Sequence, residues 1–479
     1  MAQPALTLTA TDAALVARFA AVRQEYAVAA PFPADVLAEA SRAAAAPDLG
    51  QRRDATEVAF LTLDPPGSMD LDQALHIERA GAGFRVRYAI ADLSAFIAPG
   101  GALDTEARRR GQTIYCPDER IPLHPGVLSE GAASLLPGQV RPAVLWDLTL
   151  DATGEVTSVH VERALVRSRD RLDYPGVQGA LDAGVADERL TLLREVGRLR
   201  MAREIRVGGA HLPLPEQVVE RDDEGRYAVH FRPPLPAEDW NAQISLMTGV
   251  AAAALMSRAG VGVVRTMPPA DASAVDRFRR QAAALGVPWA PEVTYGAFLA
   301  GLDRDDPRQL ALIYEAGGLF RGAGYAVLGG GSDALPLHAA LGSTYAHVTA
   351  PLRRLVDRFG LEVCLAICAG EDPPTWVEEA LPTLPGLMAG SDRTARAVSR
   401  ACVDAAEAAV LSARVGQHFP AVVVESGRRG LTVQVLEPAV VAGASGSARV
   451  GENVTVRLAE AEVATSTVRF AVEGEPEGR

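Results

Sequence analysis

LDPPGSMDLDQAL, Leu63 to Leu75, carries three carboxylates, Asp64, Asp70 and Asp72, within nine residues. It follows EVAFLTL (Glu57–Leu63), a run of strand composition. Shortly after comes FRVRYAIADL (Phe84–Leu93), in which Phe84, Val86, Tyr88 and Ile90 alternate with Arg85 and Arg87. In an extended segment residues two apart share a face, so Asp70 and Asp72 are expected to point the same way. The Pro65-Pro66-Gly67 turn can fold Asp64 back toward them. Carboxylates gathered on one spot repel unless a cation sits between them. Mg²⁺, or Mn²⁺, is the guest that hard oxygen ligands select. The other reading of the same residues is a solvated acidic turn. The spacing is not that of an EF-hand loop.

Outward from this stretch, VLWDLTLDATGEVTSVHVERALV (Val144–Val166) reads as two strands around a turn at Asp151–Gly154. Residues 11–46 read as two helices, with Ala14, Leu15, Phe19 and Val22 at helical spacing and Pro31–Pro33 as the break. Helical patterns return from Arg189: RLTLLREVGRLRMAREIR, AEDWNAQISLMTGVAAAALM, PLRRLVDRFGLEVCLAICAG and SDRTARAVSRACVDAAEAAVLSAR, the last with Ser391 as N-cap. After Arg414, the short alternating segments AVVVE, GLTVQVL, NVTVRL and TVRFAV are those of a small OB-type β-barrel. The expected class is α+β. It divides into a helical region (1–54), a catalytic domain with a β-rich first half and a helical second half (55–414), a barrel (415–473) and a loose tail (474–479).

Asp and Glu number 60 against 47 Lys and Arg, a net charge of −13, which argues against a generic cationic nucleic-acid coat but leaves room for a basic channel. All the basic residues are Arg. Hydrophobic residues at 48% and charged residues at 22% exclude disorder as the main state. Cys116, Cys364, Cys368 and Cys402 are too few for a disulfide framework. Cys364 and Cys368 read as buried small hydrophobes rather than a zinc pair. The first residues lack the basic and apolar regions of a signal peptide, and the run Val250 to Met256 is too short to span a bilayer. A soluble, cytoplasmic protein is expected.

Two further stretches can carry chemistry. In TYAHVTAPLRRLVDRF (Thr344–Phe359), Thr349 can cap a helix whose first turn holds Pro351, with Arg353 and Arg354 just inside. A helix start with an Arg suits phosphate, though an ordinary capped helix with a charged face has the same pattern. In RRRGQTIYCPDERIPLHP (Arg108–Pro125), three Arg precede Tyr115. Arg beside an exposed aromatic suits single-stranded nucleic acid, and a buried Tyr near a surface basic run fits equally.

The order TLDPPGSMDLDQAL, then IADLSAFIAPGGALDTEARRRGQTIYCPDERIPLHPGVLSEGAASLLPGQVRPA, then AHVTAPLRRLVDRF resembles the RNB catalytic domain of the ribonuclease II family of 3′-to-5′ exoribonucleases. The resemblance runs from about Glu57 to Arg414, and the β-rich tail resembles the S1-type RNA-binding barrel that usually follows. It implies hydrolysis of single-stranded RNA from the 3′ end to nucleoside 5′-monophosphates, with a divalent metal beside the scissile phosphate. By position, Asp64, Asp70 and Asp72 match the metal-site acids, Asp72 among the catalytic residues. Tyr115 matches the aromatic that seats the 3′-terminal nucleotide, and Arg353 the arginine on the scissile phosphate. Arg354 and Thr349 join the expected RNA-binding set.

This chain departs from the pattern in three places. Gln73 stands where relatives often have a fourth acid; its amide oxygen can coordinate a metal but brings no charge. Asn241 and Ala242 stand where many relatives carry paired glutamates that hold the terminal ribose, leaving Asn241 as a candidate for a 2′-hydroxyl. The residues ahead of the first block are too few for the two cold-shock barrels of many relatives, so a shortened form is expected. The alternative to an active nuclease is an RNB-fold RNA-binding protein with catalysis impaired or lost. The expected partner is single-stranded RNA, with no membrane, no obligate protein partner and a monomeric chain.

Overall fold

The computed structural model describes residues 12–28, 31–210, 216–221, 227–329, 336–427 and 430–473. The expected loose tail at 474–479 lies outside the described residues, as do positions 1–11 of the expected helical region. Two helices, α1 (Asp12–Glu25) and α2 (Ala34–Ala45), precede a sheet of β1 (Arg53–Asp54), β2 (Phe60–Asp64), β3 (Gln73–Ala80), β4 (Gly83–Ala91), β7 (Val140–Leu150) and β8 (Val156–Asp173). Between β4 and β7 lie α3 (Ala102–Arg110) and the short hairpin β5 (Ile114–Tyr115) and β6 (Arg120–Ile121).

The alternation read in Phe84–Leu93 is that of a strand buried on both faces. Phe84, Val86, Tyr88 and Ile90 enter one core while Ala89 and Ala91 enter another. β3, β4, β7 and β8 pair antiparallel in turn. β8, 18 residues long, then pairs parallel with β1 and β2, and β2 returns to β3, so the sheet curls back to its starting strand. Asp64 thus ends a strand whose register is set opposite Asp173.

One face of the sheet is covered by α4 (Tyr174–Asp182), α5 (Glu188–Arg206), α6 (Pro236–Ala259) and α10 (Leu355–Ala369), through Val177, Leu193, Val196, Ile244, Met247 and Phe359. The chain between α5 and α6 includes the hairpin β9 (Glu216–Arg221) and β10 (Tyr227–Arg232). α6 packs close at Gly249, where a Cβ would lie 2.1 Å from the Tyr345 ring, so only glycine fits. The strands β11 (Gly262–Thr266) and β12 (Gly324–Leu328) pair antiparallel and bracket α7 (Ala272–Ala284), α8 (Tyr295–Ala300) and α9 (Pro307–Ala316). These three helices have their own small core around Phe278, Phe298 and Leu312, with Trp289 stacked on Phe298 at 4.5 Å.

After α11 (Thr375–Ala380), α12 (Leu384–Leu411) begins seven residues ahead of the expected cap. Ser391 lies inside it and bonds back to the Met388 carbonyl, because Pro385 is accommodated in the first turn instead of breaking the helix. A closed barrel ends the described chain: β13 (His418–Gly427), β14 (Gly430–Val435), β15 (Val440–Ser445), β16 (Asn453–Glu462) and β17 (Thr467–Val472). Val423, Val433, Val440, Val456, Leu458 and Phe470 fill it. Among the described residues all four cysteines are free, and no helix is long and apolar enough to cross a membrane.

Glu407 ties the helical half to the barrel. Its Oε1 accepts from Gln217 Nε2 at 2.6 Å and from the Val441 N–H at 2.9 Å. Burial pushes its carboxyl up to about 7, more than these donors and Arg400 can offset. The native state therefore holds this proton over a pH range in which the unfolded chain has lost it. Stability from this group falls as pH rises from the ordinary carboxyl range toward 7. Glu407→Gln should raise stability by roughly 1–3 kcal/mol at pH 8 and by much less at pH 5, read by thermal unfolding at both pH values.

Candidate active site

The acidic loop is held from below. Leu71 is fully buried, its N–H donates to Ser134 Oγ at 3.0 Å, and Ser134 Oγ donates to the Met69 carbonyl at 2.6 Å. The Leu135 N–H bonds the Leu71 carbonyl and the Ala91 N–H bonds the Asp72 carbonyl. With Leu71 pinned inward, Asp72 is turned toward the segment around Arg353. Asp72 is 4% exposed; its Oδ1 accepts the Leu352 N–H at 2.7 Å and its Oδ2 lies 3.3 Å from Arg353 Nε.

The segment carrying Arg353 is not the first turn of a helix. α10 starts at Leu355, and Pro351 to Arg353 form a turn ahead of it. Asp357 makes that turn: its Oδ1 accepts the Ala350 N–H at 2.7 Å, and its two oxygens take Arg354 Nη2 and Nε at 2.8 and 2.9 Å. Arg354, expected on RNA, is thus engaged within the protein. Thr349, expected as cap, is 1% exposed and its hydroxyl pairs with Ser245 Oγ at 2.7 Å. A bidentate carboxylate four residues past Arg353 outcompetes the threonine as organiser.

Backbone bonds join this turn to the strand bearing Tyr115. The Thr113 N–H donates to the Arg353 carbonyl and the Leu355 N–H to the Gly111 carbonyl, both at 2.9 Å. Tyr115, two residues on, is 52% exposed and within electrostatic reach of Arg353, Asp70, Asp72 and Arg120. Arg353 keeps 46% of its side chain in contact with solvent. A half-exposed aromatic and a half-exposed guanidinium therefore flank a buried carboxylate.

The acids do not form a ready cage. Asp70 pairs with Arg120 Nη1 at 2.5 Å, and Arg120 also bridges to Glu130. Among the described residues no three His, Cys, Asp or Glu are grouped so as to hold a metal ion. Gln73 is held at both ends: its Nε2 donates to the Thr349 carbonyl at 2.6 Å and its Oε1 accepts from the fully buried Tyr88 hydroxyl at 2.6 Å. The expected coordination through its amide oxygen is thereby corrected to a brace between β3 and the Arg353 segment. Asn241 is likewise 7% exposed, its Nδ2 on the Leu63 carbonyl at 3.3 Å and on the Tyr174 hydroxyl at 3.1 Å. It anchors the strand end just before Asp64.

Burial pushes the Asp64 carboxyl up to about 7 and the Asp72 carboxyl up to about 8; Arg353 opposes both shifts and Asp70 reinforces them. A buried carboxyl at Asp72, a half-buried one at Asp64 and a third acid nearby are hard oxygen donors whose ionised forms lack positive charge. Their chemistry fits one hard divalent cation at Asp64 and Asp72, while Gln73, whose oxygen already accepts from Tyr88, brings no charge toward a second.

Residue spacing did not single out Ser134, Tyr88, Tyr174 or Asp357. Asp357 alone had a local signal, three residues after an Arg at the start of a helical pattern.

The RNB domain family matches residues 52–359, and the RNase II-type exonuclease C-terminal S1 domain matches residues 417–473. Ribonuclease R of Acidithiobacillus ferrooxidans is 35% identical over 169 residues, 35% of this chain and 38% of that protein. The Arabidopsis thaliana proteins named DIS3-like exonuclease 2 and Inactive exonuclease DIS3L2 are each 39% identical over 138 residues, 28% of this chain and 13% of theirs. The matches thus span well under half the length of these relatives. Among solved structures, Mycoplasma genitalium RNase R in complex with ribose methylated single-stranded RNA superposes with a TM-score of 0.85 at 17% identity, covering 96% of this chain and 78% of that one. Yeast Ssd1, described as a pseudonuclease, superposes at 0.69 with 18% identity, covering 82% and 50%. At these identities the superpositions show the fold.

The brace at Gln73 yields a prediction. Gln73→Glu keeps the size and the acceptor for Tyr88 but sets a carboxylate against the Thr349 carbonyl. It should destabilise the protein by roughly 1–3 kcal/mol without lowering the Mg²⁺ concentration that half-saturates activity. Denaturant unfolding and a Mg²⁺ titration of turnover check it; unchanged stability with a tighter ion would mean that the side chain is free to reach a metal.

Proposed function

The chain belongs to the RNB family of RNase II-type exonucleases, and from that membership we propose that it is a metal-dependent hydrolytic 3′-to-5′ exoribonuclease. Its substrate is single-stranded RNA and its products are nucleoside 5′-monophosphates. One observation carries the reading: the buried Asp72 carboxylate set against the half-exposed Arg353, with Tyr115 beside them. Its structural neighbour Mycoplasma genitalium RNase R, in complex with ribose methylated single-stranded RNA, supports the substrate class.

Asp64 and Asp72 would hold the divalent cation, which when bound lowers the pKa of water and offsets phosphate charge. Arg353 places a cation where charge grows on the phosphate oxygens, and its contact with Asp72 Oδ2 sets the direction of the guanidinium. Tyr115 offers an exposed ring on which a base or ribose can stack, and the Thr113–Arg353 backbone bond fixes its distance from the arginine. The pinned loop from Met69 to Asp72 keeps Asp72 from relaxing toward solvent, and Asn241 on the Leu63 carbonyl steadies the strand end at Asp64.

A second reading rests on Gln73. With an amide where relatives often carry an acid, tied off to Tyr88 and Thr349, the chain is an RNA-binding protein of this fold whose catalysis is lost. A labelled oligoribonucleotide incubated with Mg²⁺, and again with chelator, separates the two. The nuclease reading expects shortening from the 3′ end in the first and none in the second; intact RNA in both sinks it.

Two substitutions sharpen the test. Asp72→Asn should lower hydrolysis by about 10²-fold or more while RNA binding is kept or strengthened, because a neutral amide repels phosphate less. Near-normal turnover, or binding lost in step with activity, would refute the role given to Asp72. Arg353→Ala should lower kcat by about 10²-fold with a smaller change in affinity. A variant whose defect is confined to affinity would place Arg353 in binding alone.

A further inference from the structure

A second concentration of positive charge lies away from the acids, in a cavity of about 240 Å³ between the start of β8, α5 and α6. Arg200 and Arg203 from α5 and Arg258 from α6 line it, and Glu155 is its one lining carboxylate. Asn241, which touches the strand end before Asp64, lies 17 residues up α6 from Arg258, a separation of about 25 Å along the helix axis.

Part of this cluster fastens the β7–β8 turn to α5. Glu155 takes Arg203 Nε at 2.7 Å and Arg206 Nη2 at 2.8 Å, and Arg200 Nη1 donates to the Gly154 carbonyl at 2.9 Å. The fastening leaves charge over. Glu155 is already shared by two arginines and stands 3.8 Å from Arg200 Nη1. Arg200 is 5% exposed, and its buried Nε has no hydrogen-bond partner. Arg258 is exposed and forms no ion pair with a carboxylate among the described residues. Burial and the adjacent Arg203 bring the Arg200 guanidinium down to about 10, as expected of a cation short of a counter-charge. Glu155, and Glu204 from further along α5, offset part of the Arg200 charge, but the three arginines that line the cavity still outnumber its one lining carboxylate.

We propose that this cavity binds a small phosphate-bearing ligand, at a site separate from Asp64, Asp72 and Arg353. Guanidinium forks match phosphate oxygens, and a dianion balances several arginines where one carboxylate does not. Beside Thr157 and Ser158, the side chains of Val159, Met247, Val250 and Ala254 add an apolar wall that suits the body of an organic phosphate. A recess of this size takes one small molecule, not the backbone of a polynucleotide. The inference does not depend on the nuclease reading.

The test uses the full chain with chelator present, so that a metal-bound acid site does not contribute. AMP and inorganic phosphate are titrated by calorimetry and by thermal unfolding, since a ligand of the native state raises the unfolding midpoint. At least one probe should bind. Arg258→Ala, a change at an exposed position, should weaken that binding by about tenfold or more and leave RNA turnover as it was. Arg353→Ala should bind the probe like wild type. Tighter binding of AMP than of phosphate would identify an organic phosphate; equal binding would identify the free anion. The proposal is overturned if neither probe binds, if Arg258→Ala binds as wild type, or if Arg353→Ala abolishes binding. Weaker oligoribonucleotide binding by Arg258→Ala with no small-probe binding would also overturn it, and would mark a surface contact for RNA.

Discussion

Asp72 is a buried carboxylate that joins two parts of the chain 280 residues apart, through the Leu352 N–H at 2.7 Å and the Arg353 guanidinium at 3.3 Å. The contacts around it depend on that junction. Gln73 crosses the same gap to the Thr349 carbonyl, and the Tyr115 strand is stitched to the far side by Thr113 and Gly111. Asp357 holds the turn that presents Leu352 and Arg353. Were Asp72 to swing toward solvent, the Leu352 N–H would be left buried without its acceptor, at a cost of about 1–3 kcal/mol.

The arrangement is held against its own electrostatics. Burial pushes the Asp64 and Asp72 carboxyls up from their usual range, and Arg353 offsets this only in part. A region built for stability alone would place apolar side chains here. That the fold tolerates the acids follows from the packing beneath them, where Leu71, Leu61, Leu75 and Tyr88 are each 2% exposed or less. Carboxyls shifted by burial beside a charged partner are the kind of group that clusters at functional sites.

Arginine does much of the long-range fastening. Arg358, buried between α3 and α10, takes Asp104 at 2.7 Å and the Ile97 carbonyl at 2.8 Å. Arg163 bridges Asp92 at 2.5 Å and Glu362 at 2.6 Å, tying β8 to α10. A planar fork with several donors can satisfy two acids or an acid and a carbonyl at once.

The sequence by itself was enough to place the strands around 57–63, 84–93 and 144–166, the barrel and the longest helices, because alternation and helical spacing are local and repeat over many residues. It also placed Asp64, Asp72, Tyr115 and Arg353 as candidates, through the order of three conspicuous blocks. It could not show that Asp70 turns to Arg120, that Arg354 turns to Asp357, or that Thr349 faces Ser245 instead of capping a helix. Nor could it show which way Gln73 points. Its two partners, Tyr88 and Thr349, lie 15 and 276 residues away. A polar side chain goes to whichever donor or acceptor tertiary packing brings within about 3 Å. For Gln73, Asp70 and Thr349 that partner is far off in the chain, and no local periodicity records it.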